Sequence, residues 1–227
     1  MYMETVILSL GGSLIAPDGV DTDYLKKFKV VLDSFISKGF RFVIVCGGGS
    51  TARTYQKSAG ELSSLHSEDL DWLGIHATRL NAHLLRTIFR GAAHPRIITD
   101  PTAKIIFKEK VLVGAGWKPG FSTDMVAVLL AKNLGVKKII NLSNVEFVFD
   151  KDPKLFSDAK KFESVSWVDF RKIVGDKWIP GANLPFDPIA SKEAEILGLT
   201  VVIADGCDLK NFADILENKR FKGTTIS

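Results

Sequence analysis

Short runs of β-branched and aliphatic residues, apolar almost throughout, recur between longer amphipathic stretches, and this alternation constrains the fold of the 227-residue chain most. The runs lie at 6–10, 42–46, 96–98, 110–113, 138–142 and 199–204, and the helical period between them predicts helices at 23–37, 50–59, 69–90, 123–134, 168–174, 189–197 and 209–216. A strand that is apolar on both faces must be covered on both. That requires a mainly parallel central sheet between helical layers, joined by right-handed crossovers. The expected fold class is therefore α/β, a three-layer α/β/α sandwich. No linker, repeat or low-complexity segment interrupts the pattern, so residues 1–227 are expected to form one domain. The run 145–149 predicts a short strand entering a polar turn at 150–153, and 181–188 predicts a loop from its Gly, Asn and Pro residues.

Composition excludes several functional classes. With 46% hydrophobic and 25% charged residues, the chain has the make-up of a folded globular protein rather than a disordered one. Its net charge of +4 is scattered, apart from pairs such as Lys137-Lys138 and Lys160-Lys161. Nucleic-acid binding needs a basic stripe, whereas a mild positive balance suits small anionic ligands. Cys46 and Cys207 lack metal-ligand spacing and are expected to be free, buried thiols in a reducing compartment. No stretch approaches the ~18 consecutive apolar residues of a membrane span, and the first residues carry no leader pattern, so a cytoplasmic protein without a membrane partner is expected. His76 and His83 share a helix face but are too widely spaced to hold one metal ion without further ligands. They are expected in the core or at an interface, and no metal ligand is assigned.

Glycine-lined turns follow three of the predicted strands. After the first comes Gly11-Gly12-Ser13, where missing side chains let backbone N–H groups approach an anion. After the second comes Gly47-Gly48-Gly49-Ser50-Thr51-Ala52-Arg53. Here Ser50 is expected to cap a helix whose amino end attracts anions, with Arg53 reaching the same anion. The third loop, 114–124, brings backbone donors, hydroxyls, Lys118 and Asp124 to the mouth of another helix. Any one such turn is explained by a chain reversal; three after core strands point to phosphate binding at the carboxyl edge of the sheet. Neither G-x-x-x-x-G-K-[ST] nor a strand-following G-x-G-x-x-G occurs, which argues against a P-loop NTPase and a dinucleotide oxidoreductase.

With these turns in place, further segments carry a resemblance. They are Leu8-Ser9-Leu10-Gly11-Gly12-Ser13, the Gly47 to Arg53 turn, Leu73-Gly74-Ile75-His76-Ala77-Thr78-Arg79-Leu80-Asn81-Ala82, 119–124, 144–153, Asp187-Pro188-Ile189-Ala190 and Gly223-Thr224-Thr225-Ile226. On them the chain resembles the amino-acid kinase superfamily and, within it, the UMP kinases of the archaeal branch. The G-I-x-x-T-R-L-N-A helix is the segment most specific to UMP kinases. The resemblance implies an amino-acid kinase-like fold, a homo-oligomer (hexamer or dimer), and phosphoryl transfer from ATP, with Mg²⁺, to UMP. It implies an acceptor half at roughly 1–135 and an ATP half at 136–227. Ser9, Leu10, Gly11, Gly12, Ser13, Gly49 and Arg53 are implied at the ATP phosphates, and Ser143, Asn144, Phe149 and Asp152 around the adenosine. Gly48, Asp71, Gly116, Trp117, Lys118, Pro119, Gly120, Phe121, Ser122 and Thr123 are implied to hold UMP. The implied catalytic set is Asp124, which organises the cations around the phosphates, with Arg53, Asp187 and Lys118. Asp71, Asp124 and Asp187 are each also explained as helix-start carboxylates facing the dipole, and Lys118 as a solvated lysine.

Two departures from the family pattern matter. Ser9 stands where most of the superfamily has a lysine, so positive charge must come from Mg²⁺, Arg53, Lys118 or another basic residue. The family's Asn-Val-Asp-Gly-Val-Tyr segment reads Asn144-Val145-Glu146-Phe147-Val148-Phe149, which replaces a turn glycine and removes a phenolic hydroxyl. The competing readings are a kinase of the same fold acting on another small phosphate or carboxylate, and a non-catalytic nucleotide-binding homologue. Phosphoryl transfer depends mainly on positioning and charge neutralisation, which the turns retain.

Overall fold

The computed structural model describes residues 4–153, 155–175, 177 and 184–227. Residues 181–183 of the predicted 181–188 loop lie outside the described residues. The strands are β1 (Thr5–Leu10), β2 (Arg41–Cys46), β3 (Val111–Gly114), β4 (Lys138–Ser143), β5 (Val148–Phe149), β6 (Lys161–Phe162), β7 (Ser164–Val165), β8 (Thr200–Asp205) and β9 (Thr224–Ile226). The helices are α1 (Gly12–Ile15), α2 (Thr22–Ser37), α3 (Gly49–Leu62), α4 (Ser67–Ile88), α5 (Thr123–Leu134), α6 (Trp167–Val174), α7 (Pro188–Ile196) and α8 (Leu209–Leu216).

Seven strands form one sheet in the order β3-β2-β1-β4-β8-β9-β7, and β5 and β6 form a separate antiparallel pair. The first five are parallel. β9 then runs antiparallel to β8, with β7 parallel to β9. The alternation of side chains along each strand divides the core in two. Leu8, Leu10, Phe42, Ile44, Val113, Ile140, Leu142 and Val202 pack with Phe28, Leu32 and Phe212 on one face. Ile7, Val43, Val45, Leu112, Ile139, Val201 and Ile203 pack with Val126, Leu130 and Ala190 on the other. The sandwich is thus as the apolar runs require.

Local chemistry sets the helix limits. The Asp21 side chain accepts the Tyr24 N–H at the start of α2, whose Leu25, Phe28, Leu32 and Phe35 fall on one buried face. Ser122 caps α5 by accepting the Met125 N–H, and Gly135, at φ 67°, ends it in the left-handed conformation.

Several expectations are corrected. The strand predicted at 96–98 is reduced to an isolated bridge between Ile98 and Gly114. Pro95 has no N–H to add to a ladder, so the chain meets the outer edge of β3 at two separate points, through Ala93 and His94 at Val111 and through Ile98 at Gly114, rather than as a continuous strand. The run 145–149 shortens to β5, and the turn before it needs no positive φ. Among the described non-glycine residues only Asn218 has one, and Phe147 turns inward at 7% exposure with the Lys161 ammonium 4.2 Å from its ring centre. Cys46 is buried, and burial pushes its thiol pKa up, but Cys207 is exposed. His76 and His83 are both exposed, which removes the core alternative for them. No helix among the described residues is long and apolar enough to cross a membrane.

Candidate active site

The three glycine turns follow β1, β2 and β3, which are neighbours in the sheet, so they line up along its carboxyl edge. The next strand, β4, ends in Ser143 and carries the chain into Asn144 and the β5–β6 pair. In spatial order the edge therefore presents the 114–124 loop, the Gly47 turn, the Gly11 turn and the Ser143-Asn144 segment. The Gly11 N–H donates to the Leu142 carbonyl at 2.8 Å, which pins the Gly11 turn to the end of β4.

The first two turns touch through main chain alone. A Cβ on Gly12 would lie 2.0 Å from the Gly49 nitrogen, closer than any side chain tolerates. Gly49 itself has φ +65°, a conformation that favours glycine, and a Cβ there would meet the Gly12 carbonyl at 2.3 Å. Ser50 is not the cap of α3. Gly48 occupies that position with no side-chain bond, the Ser50 hydroxyl instead accepts the Gly19 N–H at 3.2 Å, and the Ser50 N–H donates to the Ala16 carbonyl at 2.8 Å. That amide is consumed inside the protein rather than offered to an anion. Arg53 follows on α3, and its side chain is exposed.

The third loop is held from α4. Asp71 is the fifth residue of this helix rather than its start, and its Oδ2 accepts the Gly120 N–H at 2.8 Å. Arg79 donates to the carbonyls of Gly116 and Trp117, and the Thr78 hydroxyl accepts the Gly116 N–H. Within the loop the Trp117 and Phe121 rings meet edge to face at 4.7 Å, and the Lys118 ammonium lies 4.1 and 5.1 Å from their centres. Lys118 is thus drawn onto the aromatic faces of its own loop. Ser122 spends its hydroxyl on capping α5, which brings Thr123 and Asp124 to the positive end of that helix.

Asp124 is the electrostatic centre of the arrangement. Ser9 Oγ donates to its Oδ1 at 3.0 Å and the Asp187 N–H to its Oδ2 at 3.2 Å. Burial of the carboxyl pushes its pKa up to about 6 against the pull of the Ser9 hydrogen bond, with the nearby Asp187 charge adding to the rise. No cation contributes to that balance, so the position left by the absent lysine is filled by a neutral hydroxyl. Ser9 and Asn141, both buried, are paired across β1 and β4. The Asp187 carboxylate caps α7, accepting the Ala190 N–H at 2.7 Å, so its helix-start reading fits the geometry.

On the far side of the Gly11 turn, the Ser143 hydroxyl accepts the Val145 N–H at 3.2 Å, Asn144 and Asp152 are exposed, and Phe149 is half-buried in β5. Leu10, Gly11, Gly12 and Ser13 form the β1–α1 junction. Gly48, Gly49, Pro119 and Gly120 lie in the second and third turns. The structure therefore brings the three glycine turns, Asp71, Asp124 and the Ser143-Asn144 segment to one edge, but sequence reasoning missed Thr78, Arg79 and Asn81 as holders of the loops. Their signal was present: Thr78 and Asn81 are polar residues on the buried stripe of an amphipathic helix that also contains Ile75, Ala82 and Leu85.

The α/β sandwich with glycine turns at the carboxyl edge of its parallel strands defines the class of fold, and comparison assigns the family. The model of the amino acid kinase family matches residues 4–205, and the chain belongs to that family. Within the family its relatives include the uridylate kinase of Methanospirillum hungatei, 36% identical over 228 residues that span 99% of this chain and 95% of the relative. The uridylate kinase of Thermoplasma volcanium is 35% identical over 226 residues, spanning 98% and 97%. The crystal structure of uridylate kinase from Archaeoglobus fulgidus aligns with a TM-score of 0.83 at 31% identity, covering 99% of this chain and all of that one.

Proposed function

We propose that this chain transfers the γ-phosphoryl group of ATP to UMP, producing UDP and ADP. The observation that carries the reading is the strand order β3-β2-β1-β4, which sets the candidate acceptor loop, the shared phosphate turn, the donor turn and the adenosine segment side by side along one edge. Relatives called uridylate kinase that match along nearly the whole chain support UMP as the acceptor.

In this reading the Gly11-Gly12-Ser13 turn with Ser9, Leu10, Gly49 and Arg53 binds the ATP phosphates, and Ser143, Asn144, Phe149 and Asp152 surround the adenosine. UMP lies on Gly48, Asp71 and the loop 116–123. Mg²⁺ enters with ATP as part of the donor substrate. The protein contributes mainly backbone donors and fixed geometry, which suits a loose transition state with charge spread over the transferring phosphoryl oxygens. Asp124 orients the donor phosphates and their cations at the positive end of α5. Arg53 and Lys118 supply the positive charge that Ser9 lacks, and Asp187 holds the start of α7 against Asp124. The protein acts in the cytoplasm as a homo-oligomer, and residues 1–135 and 136–227 are the acceptor and ATP halves of one domain.

The test is a coupled assay of ADP release with MgATP across UMP, CMP, dUMP and isopentenyl phosphate. UMP is expected to be turned over best; absence of UMP turnover overturns the proposal, and turnover of another phosphate alone reassigns the acceptor.

A further inference from the structure

Helix α4 bonds to the main chain of two glycine turns at once. Asn81, 2% exposed, donates its amide to the carbonyls of Gly47 and Gly48 at 2.8 and 3.1 Å. One turn of helix earlier, the Thr78 hydroxyl donates to the Ile75 carbonyl at 2.6 Å and accepts the Gly116 N–H at 2.8 Å. Beside it, Arg79 donates to the carbonyls of Gly116 and Trp117 at 3.3 and 2.9 Å.

Thr78 and Asn81 are three residues apart, so their anchor points on the helix are separated by about 4.5 Å along its axis. That separation is fixed by backbone geometry and cannot drift as side-chain contacts between loops can. Both residues are buried where an apolar side chain would serve packing equally well, and a buried polar group is tolerated when its bonds are satisfied. Here the satisfying partners are the two turns themselves.

We infer that Thr78, Arg79 and Asn81 are positioning residues, and that α4 acts as a gauge setting the distance and orientation between the Gly47 turn and the 114–124 loop. This rests on the reading of the Gly47 turn as shared by the donor and acceptor phosphates, and of the 114–124 loop as the rest of the acceptor site. Each nucleotide is held by backbone donors on its own side of the Gly47 turn; the gauge decides whether the two phosphates meet in line there. A displacement of about 1 Å at such a distance costs roughly 100-fold in rate.

The experiment compares the full-length wild type with Thr78→Val, Thr78→Ser and Arg79→Lys. It measures kcat, calorimetric affinity for UMP alone and for a non-hydrolysable MgATP analogue alone, and thermal midpoint. Thr78→Val and Arg79→Lys are expected to lower kcat on the order of 10- to 100-fold while each nucleotide still binds within about threefold of wild type, and Thr78→Ser is expected to restore the rate. An unchanged kcat in both variants overturns the inference. So does a parallel fall of kcat, both affinities and thermal midpoint that Thr78→Ser does not rescue, since that is the signature of a merely structural role. If the wild type phosphorylates a different acceptor, the UMP assignment fails alone, and the same split between rate and affinity is read with that acceptor.

Discussion

Replacing Asp124 by Asn should make the free protein no less stable at neutral pH while damaging catalysis. The rise of its pKa from 3.8 to about 6 corresponds to about 3 kcal/mol by which the folded state resists ionisation of this carboxyl. Although protein encloses the carboxyl, part of the residue's surface stays open to solvent, so screening reduces the effect to about 1–2 kcal/mol. Asparagine keeps an acceptor for Ser9 but meets the Asp187 N–H with a donor, a loss of about 1 kcal/mol. Because the folded pKa is the higher one, the wild type is favoured by protonation below 3.8, loses that advantage as pH rises through about 6, and is flat beyond. Asn cannot titrate. Urea denaturation of both proteins without nucleotide, from pH 4 to pH 8, should therefore show the variant gaining about 1–2 kcal/mol relative to wild type across that window. At pH 8 it should match or exceed wild-type stability. Turnover should fall by about 100-fold with nucleotide affinity little changed. A stability difference independent of pH would refute the electrostatic account, and full kcat would refute the orienting role.

Other perturbations have equally definite outcomes. Ser9→Ala leaves Oδ1 of Asp124 without its donor, so the titration in the stability profile should move to higher pH and stability at pH 8 should drop by about 1–2 kcal/mol in urea denaturation. Gly12→Ala drives a methyl group to 2.0 Å from the Gly49 nitrogen; a lowered thermal midpoint and loss of calorimetric ATP binding are expected, and a wild-type melting curve would contradict the contact. Arg53→Ala removes an exposed cation from α3, so affinity for MgATP should fall about 10-fold with the thermal midpoint unchanged.

Much of the fold was legible because its signals are strong and local. The five parallel strands are dense apolar runs, and α5 and α8 fall on the predicted 123–134 and 209–216 because capping residues and the helical period agree there. What escaped has little sequence signature of its own. α1 is one turn long, and β7 and β9 are two and three residues whose pairing is dictated by β8 and by each other. In the site, glycines at strand ends announced the turns. Bonds between elements distant in sequence did not show, because Asn81 finds Gly47 only once α4 has packed. Ser50 illustrates the opposite error: a residue with good local cap chemistry lost that role because the helix already begins at Gly49 and the Ser50 hydroxyl accepts the Gly19 N–H instead. The absence of lysine at position 9 was visible at once, yet the hydroxyl–carboxylate pair that replaces it was not.

The contact between Gly12 and the Gly47 to Gly49 turn has a consequence for redesign. Where two loops meet through peptide groups alone, no rotamer can be exchanged to widen or narrow the gap, and almost every substitution there is a collision. The neighbouring loop is also pinned through its main chain, by Asp71, Thr78 and Arg79, but the rings of Trp117 and Phe121 stand off that scaffold and can be exchanged without breaking those bonds. Variation in what this chain accepts has room to accumulate at the two rings of Trp117 and Phe121, while the bed beside them stays the same from one variant to the next.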